Sequence, residues 1–135
     1  MIISFAWTTA PLLAGVKTMT WRDWTDDYAD QARRAEKVQA WDKLPRSHGS
    51  YLGKDLPGHS LSIIKCTTAD MLDSDYEDEG LAWMAQHPES WPKTIFGKPF
   101  DPYYVSREFF DRRREEAEPG YIVRFVNPWA ALEAE

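Results

Sequence analysis

The chain has 135 residues, of which 43% are apolar and 14% aromatic, and this is enough for one domain with a buried core. Its formal net charge of −6 argues against a protein that coats nucleic acid nonspecifically, since such binding scales with the number of phosphates neutralised. The lone cysteine excludes an internal disulfide framework, and no apolar run approaches the roughly 18 residues of a membrane span. Because the first residues also lack a secretory signal, we expect a cytoplasmic domain with no membrane association.

The first third of the chain predicts two strands and two helical segments. The apolar run over residues 2–7 predicts a strand, and residues 10–15 predict one short helical turn that ends at a glycine. Alternating side chains over residues 16–22 predict a second strand. Thr25 is followed by two aspartates, which is typical of an N-cap with an acidic first turn, so we predict a helix over 25–37.

The middle of the chain predicts two further strands around a loop. We predict a strand over residues 38–44 that ends at Pro45. Residues 46–58 contain three glycines and a proline, which favours a loop. Residues 60–67 form the clearest strand pattern after the first. The Ser-x-x-Glu spacing that begins at Ser74 has the form of a capping box and predicts a helix to about residue 87.

The last third contains a proline-rich segment, a charged helix and a closing strand. Residues 88–102 carry four prolines and are predicted to wrap around the body as a loop. Its predicted anchors to the body are Trp91, Phe96 and Phe100. We predict a helix over 106–117 with Phe109 and Phe110 facing inward and its run of arginines facing solvent, and a strand over 120–127. About five short strands with interspersed helices indicate an α+β domain around a small curved sheet or barrel.

Several familiar binding motifs fail at specific positions. The acidic run 73–79 has Asp78 where a calcium loop needs glycine. Residues 49–54 are one residue short of a P-loop, and an aspartate follows where serine or threonine must bind magnesium. The three histidines lack the spacing of a metal site, and Cys66 is predicted to be a buried, inert thiol. We therefore expect no metal and no cofactor.

The most informative segment is Gly15–Arg22, which reads G-V-K-T-M-T-W-R. This G-x-K-T-x-T-x-R pattern resembles the signature of the ASCH domain family, whose members share the PUA-like fold. Three further segments are similar, in the same order, to a strand and loop, an acidic helix start and a closing strand of bacterial ASCH proteins: residues 38–46, 75–81 and 121–125. The resemblance implies a single PUA-like α+β domain over 1–135, in which a small curved β-barrel or sheet is flanked by helices.

The resemblance also implies a ligand and three candidate functions. PUA-like domains commonly bind RNA, nucleosides or modified bases, so we expect a nucleoside, nucleotide or RNA ligand. Some compact bacterial ASCH proteins are amidohydrolases that deacetylate N4-acetylcytidine with a Lys, a Thr and a Glu, which match Lys17, Thr20 and Glu79 here. Another ASCH type is a ribonuclease, and a noncatalytic module that binds RNA or a modified base is the third possibility.

The three matched residues suit amide cleavage on chemical grounds. Thr20 would be the nucleophile and Lys17 the base, while Glu79 would protonate the leaving group or orient the lysine. Burial or a nearby cation such as Arg22 would have to lower the lysine pKa, and Arg22 or backbone donors near Gly15 would hold the oxyanion. Lys17 and Thr20 point to opposite faces of an ideal strand, so their convergence requires Lys17 to lie in the turn.

A further set of residues is predicted to bind the ligand: Trp7, Gly15, Arg22, Trp24, Arg46 and Tyr51. The tryptophans flank the motif and would stack on a base, and the tyrosine would close over it. The alternatives are core packing for the tryptophans, an exposed loop position for Tyr51 and an ion pair of Arg22 with a nearby carboxylate. A basic patch around the cleft would favour RNA: Lys17, Arg22, Lys43, Arg46 and Lys54. The acidic composition favours a small ligand, and both a monomer and a homodimer remain open.

Overall fold

The structure is a computed structural model that describes residues 1–130. Its strands are β1 (Ile2–Ser4), β2 (Met19–Arg22), β3 (Lys37–Trp41), β4 (Tyr51–Pro57), β5 (Ser62–Thr67), β6 (Thr94–Ile95), β7 (Lys98–Pro99) and β8 (Pro119–Arg124). Its α-helices are α1 (Thr9–Leu13), α2 (Asp26–Arg34), α3 (Asp75–Asp78), α4 (Leu81–Gln86) and α5 (Arg107–Glu116). Short 3-10 turns link them at Ala6–Thr8, Pro45–Ser47, Gly58–Ser60, Thr68–Asp70, Pro88–Ser90 and Pro102–Val105.

The strands form two three-stranded sheets and one hairpin. In the first sheet β3 lies between β1, which runs parallel to it, and β4, which runs antiparallel. In the second sheet β8 lies between β2 and β5, and both pairings are antiparallel. Strands β6 and β7 form the hairpin. The predicted α+β class is confirmed, but the sheets within residues 1–130 remain separate, so the closed-barrel form of that prediction is wrong.

Three apolar clusters hold the sheets and helices together. The first packs β1, β3 and β4 around Phe5 and Leu12. The second joins β2 and β8 to helices α4 and α5 around Met19 and Phe110. The third packs the alanines of α2 against β5 and β8. Strand β8 contributes Ile122 to the second cluster and Val123 to the third, as the period-two alternation of a buried strand requires.

Two helix starts follow the local sequence signals. The Thr25 side chain accepts a hydrogen bond from Tyr28 N at 3.2 Å and begins α2. The Ser106 hydroxyl accepts one from Phe109 N at 3.1 Å and begins α5. Each bond satisfies a backbone donor that a first helical turn leaves free. The N-cap prediction for Thr25 is therefore confirmed, as is the predicted helix that begins after Ser106.

The predicted loop over 46–58 is wrong in its second half, which forms β4. The strand pairs with β3 and places Leu56 in the first core cluster. Gly53 has a φ of +97°, and a Cβ there would meet no atom within 4 Å, so the glycine reflects backbone conformation and not close packing. The glycines and the proline of this segment favoured a loop, and local composition carries no information about the hydrogen-bond partner that β3 supplies.

The predicted helix over 74–87 is wrong in its continuity, since it is broken into α3 and α4 at Gly80. This glycine has a φ of +92°, and a Cβ there would lie 2.5 Å from Cβ of Pro11, so only glycine fits beneath α1. The Ser74 side chain forms no capping bond, and the capping-box prediction is therefore wrong as well. Asp75 supplies a local bond instead, by accepting from Leu72 N at 2.7 Å.

The proline-rich segment is anchored by two of the three predicted aromatics. Trp91 and Phe100 pack against the second core cluster. Phe96 is wrong as an anchor, because 87% of it is exposed at the tip of the β6–β7 hairpin. On α5, Phe110 is buried as predicted and Phe109 is partly buried. No helix in the described part of the chain has the length and apolar character needed to cross a membrane.

Candidate active site

Lys17, Thr20 and Glu79 border a single cleft of about 340 Å³. Lys17 lies in the turn between α1 and β2, Thr20 lies on β2, and Glu79 directly follows α3. Sixty-two positions separate Lys17 from Glu79, yet the Lys17 ammonium nitrogen donates to the Glu79 backbone carbonyl at 2.9 Å. The three residues that the resemblance implied therefore border the same cleft.

The turn before β2 allows Lys17 to face the same cleft as Thr20. Gly15 has a φ of +83°, and the backbone N–H groups of Val16 and Lys17 both donate to the Pro11 carbonyl, at 3.1 and 3.2 Å. Strand β2 begins only at Met19, so the alternation of strand faces does not apply to Lys17. The predicted strand over 16–22 is therefore wrong for residues 16–18, and the condition for convergence, that Lys17 must lie in the turn, is met.

Asn127 holds this turn from the far end of the chain, and sequence reasoning missed it. Its Nδ2 donates to the carbonyls of Leu12 at 2.9 Å and Lys17 at 2.8 Å. Its Oδ1 accepts from the backbone N–H groups of Trp129 and Ala130. A buried amide with these four partners leaves no polar atom unpaired, so its hydrogen bonds offset the cost of burial while they position the Lys17 backbone. No pattern near residue 127 indicated this role.

The Lys17 side chain is only 2% exposed, and this burial governs its protonation. Burial lowers the pKa of Lys17 from 10.5 to about 7. The Glu79 carboxylate opposes the shift, whereas Arg22 and Arg113 add to it by charge repulsion. A lysine with this pKa is neutral in about half of the molecules at pH 7 and can accept a proton.

Glu79 is buried and paired with Arg113, a partner that the sequence analysis placed on a solvated face. Arg113 donates from Nη1 to Oε2 at 3.0 Å and from Nη2 to Oε1 at 3.4 Å. The interpretation of residues 112–114 as a purely solvated run is therefore wrong for Arg113. A signal was present, because Arg113 lies four positions after Phe109 and so shares a helix face with an aromatic residue predicted to point inward.

Arg22 lies beside Thr20 and borders the same cleft. Its Nε donates to Thr20 Oγ1 at 3.1 Å, and its Nη2 donates to the Ser4 carbonyl at 2.6 Å. Within residues 1–130 no carboxylate lies within 4.0 Å of its guanidinium, so the alternative of a structural ion pair is not observed. Burial lowers the pKa of Arg22 to about 10, and this group remains a cation at neutral pH.

Aromatic side chains form one wall of the cleft. Trp7, Tyr104 and Phe109 border it, and the ring centroids of Tyr104 and Phe109 are 5.3 Å apart in an edge-to-face arrangement. Ile95 and Phe96 of the hairpin also border it. The buried indole N–H of Trp21, another bordering residue, donates to no acceptor in the described residues, so an ordered water or a ligand oxygen is needed to satisfy it.

Of the six predicted ligand-binding residues, Trp7 and Arg22 border this cleft. Trp24 and Arg46 border a second cleft of about 420 Å³, which shares Ser4 and Arg22 with the first. The two clefts therefore meet at the Arg22 side chain.

Gly15 and Tyr51 border neither cleft. The Gly15 N–H donates to the Leu12 carbonyl, so it is not available to hold an oxyanion. The Tyr51 hydroxyl donates to Asp55 at 2.7 Å on the exposed face of β4. The five basic residues whose clustering would favour RNA are also divided, since Arg46 borders the second cleft and Lys54 donates to the Pro128 carbonyl at 3.5 Å.

No group of three or more His, Cys, Asp or Glu side chains in residues 1–130 is arranged to bind a metal ion. The cleft has instead three basic groups (Lys17, Arg22 and Arg113) around one carboxylate, next to an aromatic wall. Such a site suits a planar ligand with oxygen acceptors. Comparisons of the chain with protein-family models, with curated proteins and with solved structures find no match.

Proposed function

We propose that this chain is an amidohydrolase that removes the acyl group from an N4-acylated cytidine nucleoside or nucleotide. The observation that carries the proposal is the buried Lys17, whose pKa of about 7 suits a general base and which borders the same cleft as the Thr20 hydroxyl. The resemblance to ASCH amidohydrolases, which rests on Lys17, Thr20 and Glu79, led to the same chemistry. The cleft volume of about 340 Å³ falls in the range of small-ligand sites.

The reaction proceeds by acyl transfer to Thr20. The hydroxyl oxygen attacks the amide carbonyl carbon while neutral Lys17 takes the hydroxyl proton. The C–N bond then breaks, and Lys17 returns the proton to the leaving exocyclic amine, which leaves an ester on Thr20. A water molecule attacks the ester, with Lys17 again as base, and the carboxylic acid departs as the Thr20 hydroxyl is restored. The net reaction converts the amide and water into the free amine and the carboxylic acid.

The other polar groups position the reacting ones. Arg22 already donates to Thr20 Oγ1 and has no carboxylate partner within the described residues, so its charge is available to the developing oxyanion. Glu79 orients Lys17 through its backbone carbonyl. Because its carboxylate already accepts two bonds from Arg113, we assign Glu79 a positioning role in place of the acid role expected from the sequence.

Two alternative functions would use the same cleft. One is a noncatalytic module that binds RNA or a modified base, and the other is a ribonuclease. One observation favours these alternatives: three basic groups surround a single carboxylate, and this local excess of positive charge is what a phosphate ligand requires. The overall net charge of −6 opposes a long polyanion, so a nucleoside or a short nucleotide remains the favoured ligand.

The test is acetate release from N4-acetylcytidine by the wild type and by Lys17→Met and Thr20→Val, which preserve side-chain volume. Each substitution removes one reacting group, so we expect a fall in kcat of roughly 100-fold or more. The wild-type rate should rise as pH increases through about 7, because Lys17 must lose its proton.

Two variants serve as controls for this experiment. Lys43→Met removes an exposed lysine that borders neither cleft and should leave the rate unchanged. Thr20→Ser retains a hydroxyl and should keep measurable activity. A folded wild type without turnover between about pH 6 and 9 would remove this substrate, and full activity in Lys17→Met would exclude the assigned base.

A further inference from the structure

The β6–β7 hairpin presents an aromatic residue at the mouth of the cleft. Its register pairs Thr94 with Pro99 and Ile95 with Lys98, so Phe96 and Gly97 form a two-residue turn. Both turn residues have positive φ, +52° for Phe96 and +74° for Gly97. This is the pattern of a type I′ turn, in which asparagine followed by glycine is preferred and a large aromatic in the first position is unfavourable.

The exposure of the Phe96 ring to solvent is also unfavourable for an aromatic side chain. Phe96 is 87% exposed, the highest exposure among the large apolar side chains of the described chain. Its ring therefore adds little to the packing of the folded protein, while its backbone adopts a left-handed conformation that is unfavourable for a non-glycine residue. Neither the turn nor the core accounts for an aromatic side chain at this position.

The position of Phe96 relative to the cleft suggests what the ring does. Phe96 and its neighbour Ile95 border the cleft together with Trp7, Tyr104 and Phe109. Trp7 and Tyr104 belong to the aromatic wall, with ring centroids 6.5 Å apart. A planar ligand against that wall would keep one face open to solvent, and Phe96 stands at the rim with a free ring.

We propose that Phe96 is a specificity-determining residue whose ring stacks on the solvent-facing side of a planar heterocyclic base bound in the cleft. The proposal rests on the proposed function for the identity of the base and for the amide attached to it. Stacking on Phe96 would favour the binding of amides attached to an aromatic ring over that of aliphatic amides, because an aliphatic group offers no face for stacking. The ring remains away from the reacting atoms, so its contribution lies in binding and not in the chemical step.

The experiment compares Phe96→Asn and Phe96→Trp with the wild type. Asparagine suits the turn and removes the ring, whereas tryptophan keeps an aromatic face. Leu72→Ala, at a residue 57% exposed and away from this cleft, is the matched control for loss of an exposed apolar side chain. We would measure the Kd for cytidine by calorimetry and the KM and kcat for N4-acetylcytidine.

We expect Phe96→Asn to raise the Kd and the KM about fivefold or more while kcat stays unchanged. Phe96→Trp and Leu72→Ala should leave both constants close to the wild-type values. Unchanged affinity in Phe96→Asn would overturn the proposal, as would a wild type that binds neither cytidine nor N4-acetylcytidine. Cytidine binding that depends on Phe96, without acetate release, would support this proposal while removing the proposed function.

The competing explanation is that the exposed Phe96 ring forms a contact between two copies of this chain. Sedimentation of the wild type and Phe96→Asn over a range of concentrations separates the two explanations. A dimer that dissociates in the variant, with cytidine affinity unchanged, would overturn the stacking proposal. An unchanged oligomeric state together with weaker cytidine binding would support it.

Discussion

At the scale of single residues, Lys17 couples the chemistry of the cleft to the stability of the fold. Its ammonium group is removed from water and retains one hydrogen bond, to the Glu79 carbonyl. The loss of hydration disfavours the charged form and lowers the lysine pKa to about 7. The same burial that makes Lys17 a base therefore destabilises the folded protein whenever the lysine is protonated.

This coupling predicts a pH-dependent difference in stability between the wild type and Lys17→Met. Between the folded pKa of about 7 and the unfolded value of 10.5, the unfolded chain binds more protons at this group, so stability increases with pH. We expect the wild type to gain up to about 1.4 kcal/mol per pH unit relative to the variant across that window. Urea unfolding of both proteins at pH 7, 8 and 9 measures the difference, and parallel stability curves would contradict it.

At the scale of elements, the break between α3 and α4 determines where Glu79 lies. Gly80 adopts a φ that other residues rarely adopt, and it lies directly under the Pro11 ring of α1. The break brings the Glu79 carbonyl to the Lys17 ammonium and its carboxylate to Arg113 on α5. A continuous helix over these residues would not leave this carbonyl free, because a residue four positions later would donate to it.

Gly80→Ala should therefore destabilise the protein and disturb the cleft. The added Cβ would lie 2.5 and 2.6 Å from Pro11 ring carbons, in a backbone conformation that is already unfavourable for alanine. We expect a loss of roughly 2–4 kcal/mol in the free energy of unfolding, measured by urea denaturation.

Gly53→Ala is the matched control for that variant. Gly53 has a similar φ of +97°, but a Cβ added there would have no atom within 4 Å, so its substitution isolates the conformational cost of roughly 1–2 kcal/mol. Equal losses in the two variants would show that contact with Pro11 contributes nothing.

At the scale of the whole molecule, charge distribution separates the candidate ligands. The chain carries a net charge of −6, whereas the cleft gathers Lys17, Arg22 and Arg113 around one carboxylate. A small ligand experiences mainly the local field of the cleft, but a long polyanion also meets the repulsion of the surrounding surface. The negative net charge of the chain and the basic groups of the cleft together thus favour a nucleoside or short nucleotide as the ligand.

We therefore expect kcat/KM to be higher for free N4-acetylcytidine than for the same nucleoside inside a single-stranded RNA of about ten residues. Added salt should narrow the difference, because it screens the repulsion. Rates at about 50 and 200 mM salt test this. Preference for the RNA, with affinity that falls steeply as salt increases, would favour the RNA-binding alternative. Cleavage of unmodified RNA would favour the ribonuclease.

The sequence alone determined the features that depend on neighbours along the chain. The α+β class, the cap at Thr25 and the strand predicted over 60–67 follow from side-chain period and capping chemistry. The resemblance to the ASCH family implied Lys17, Thr20 and Glu79 together as the candidate catalytic residues.

Only the tertiary structure decided the features that depend on distant partners. Strand β4 forms because β3 supplies its hydrogen bonds, and the residue at which the helix breaks, Gly80, packs so closely against Pro11 that a side chain does not fit. Arg113 joins the cleft through Glu79, and Asn127 holds the Lys17 turn from 110 positions away. Burial, and with it the pKa of Lys17, is a property of these combined contacts, which no local pattern encodes.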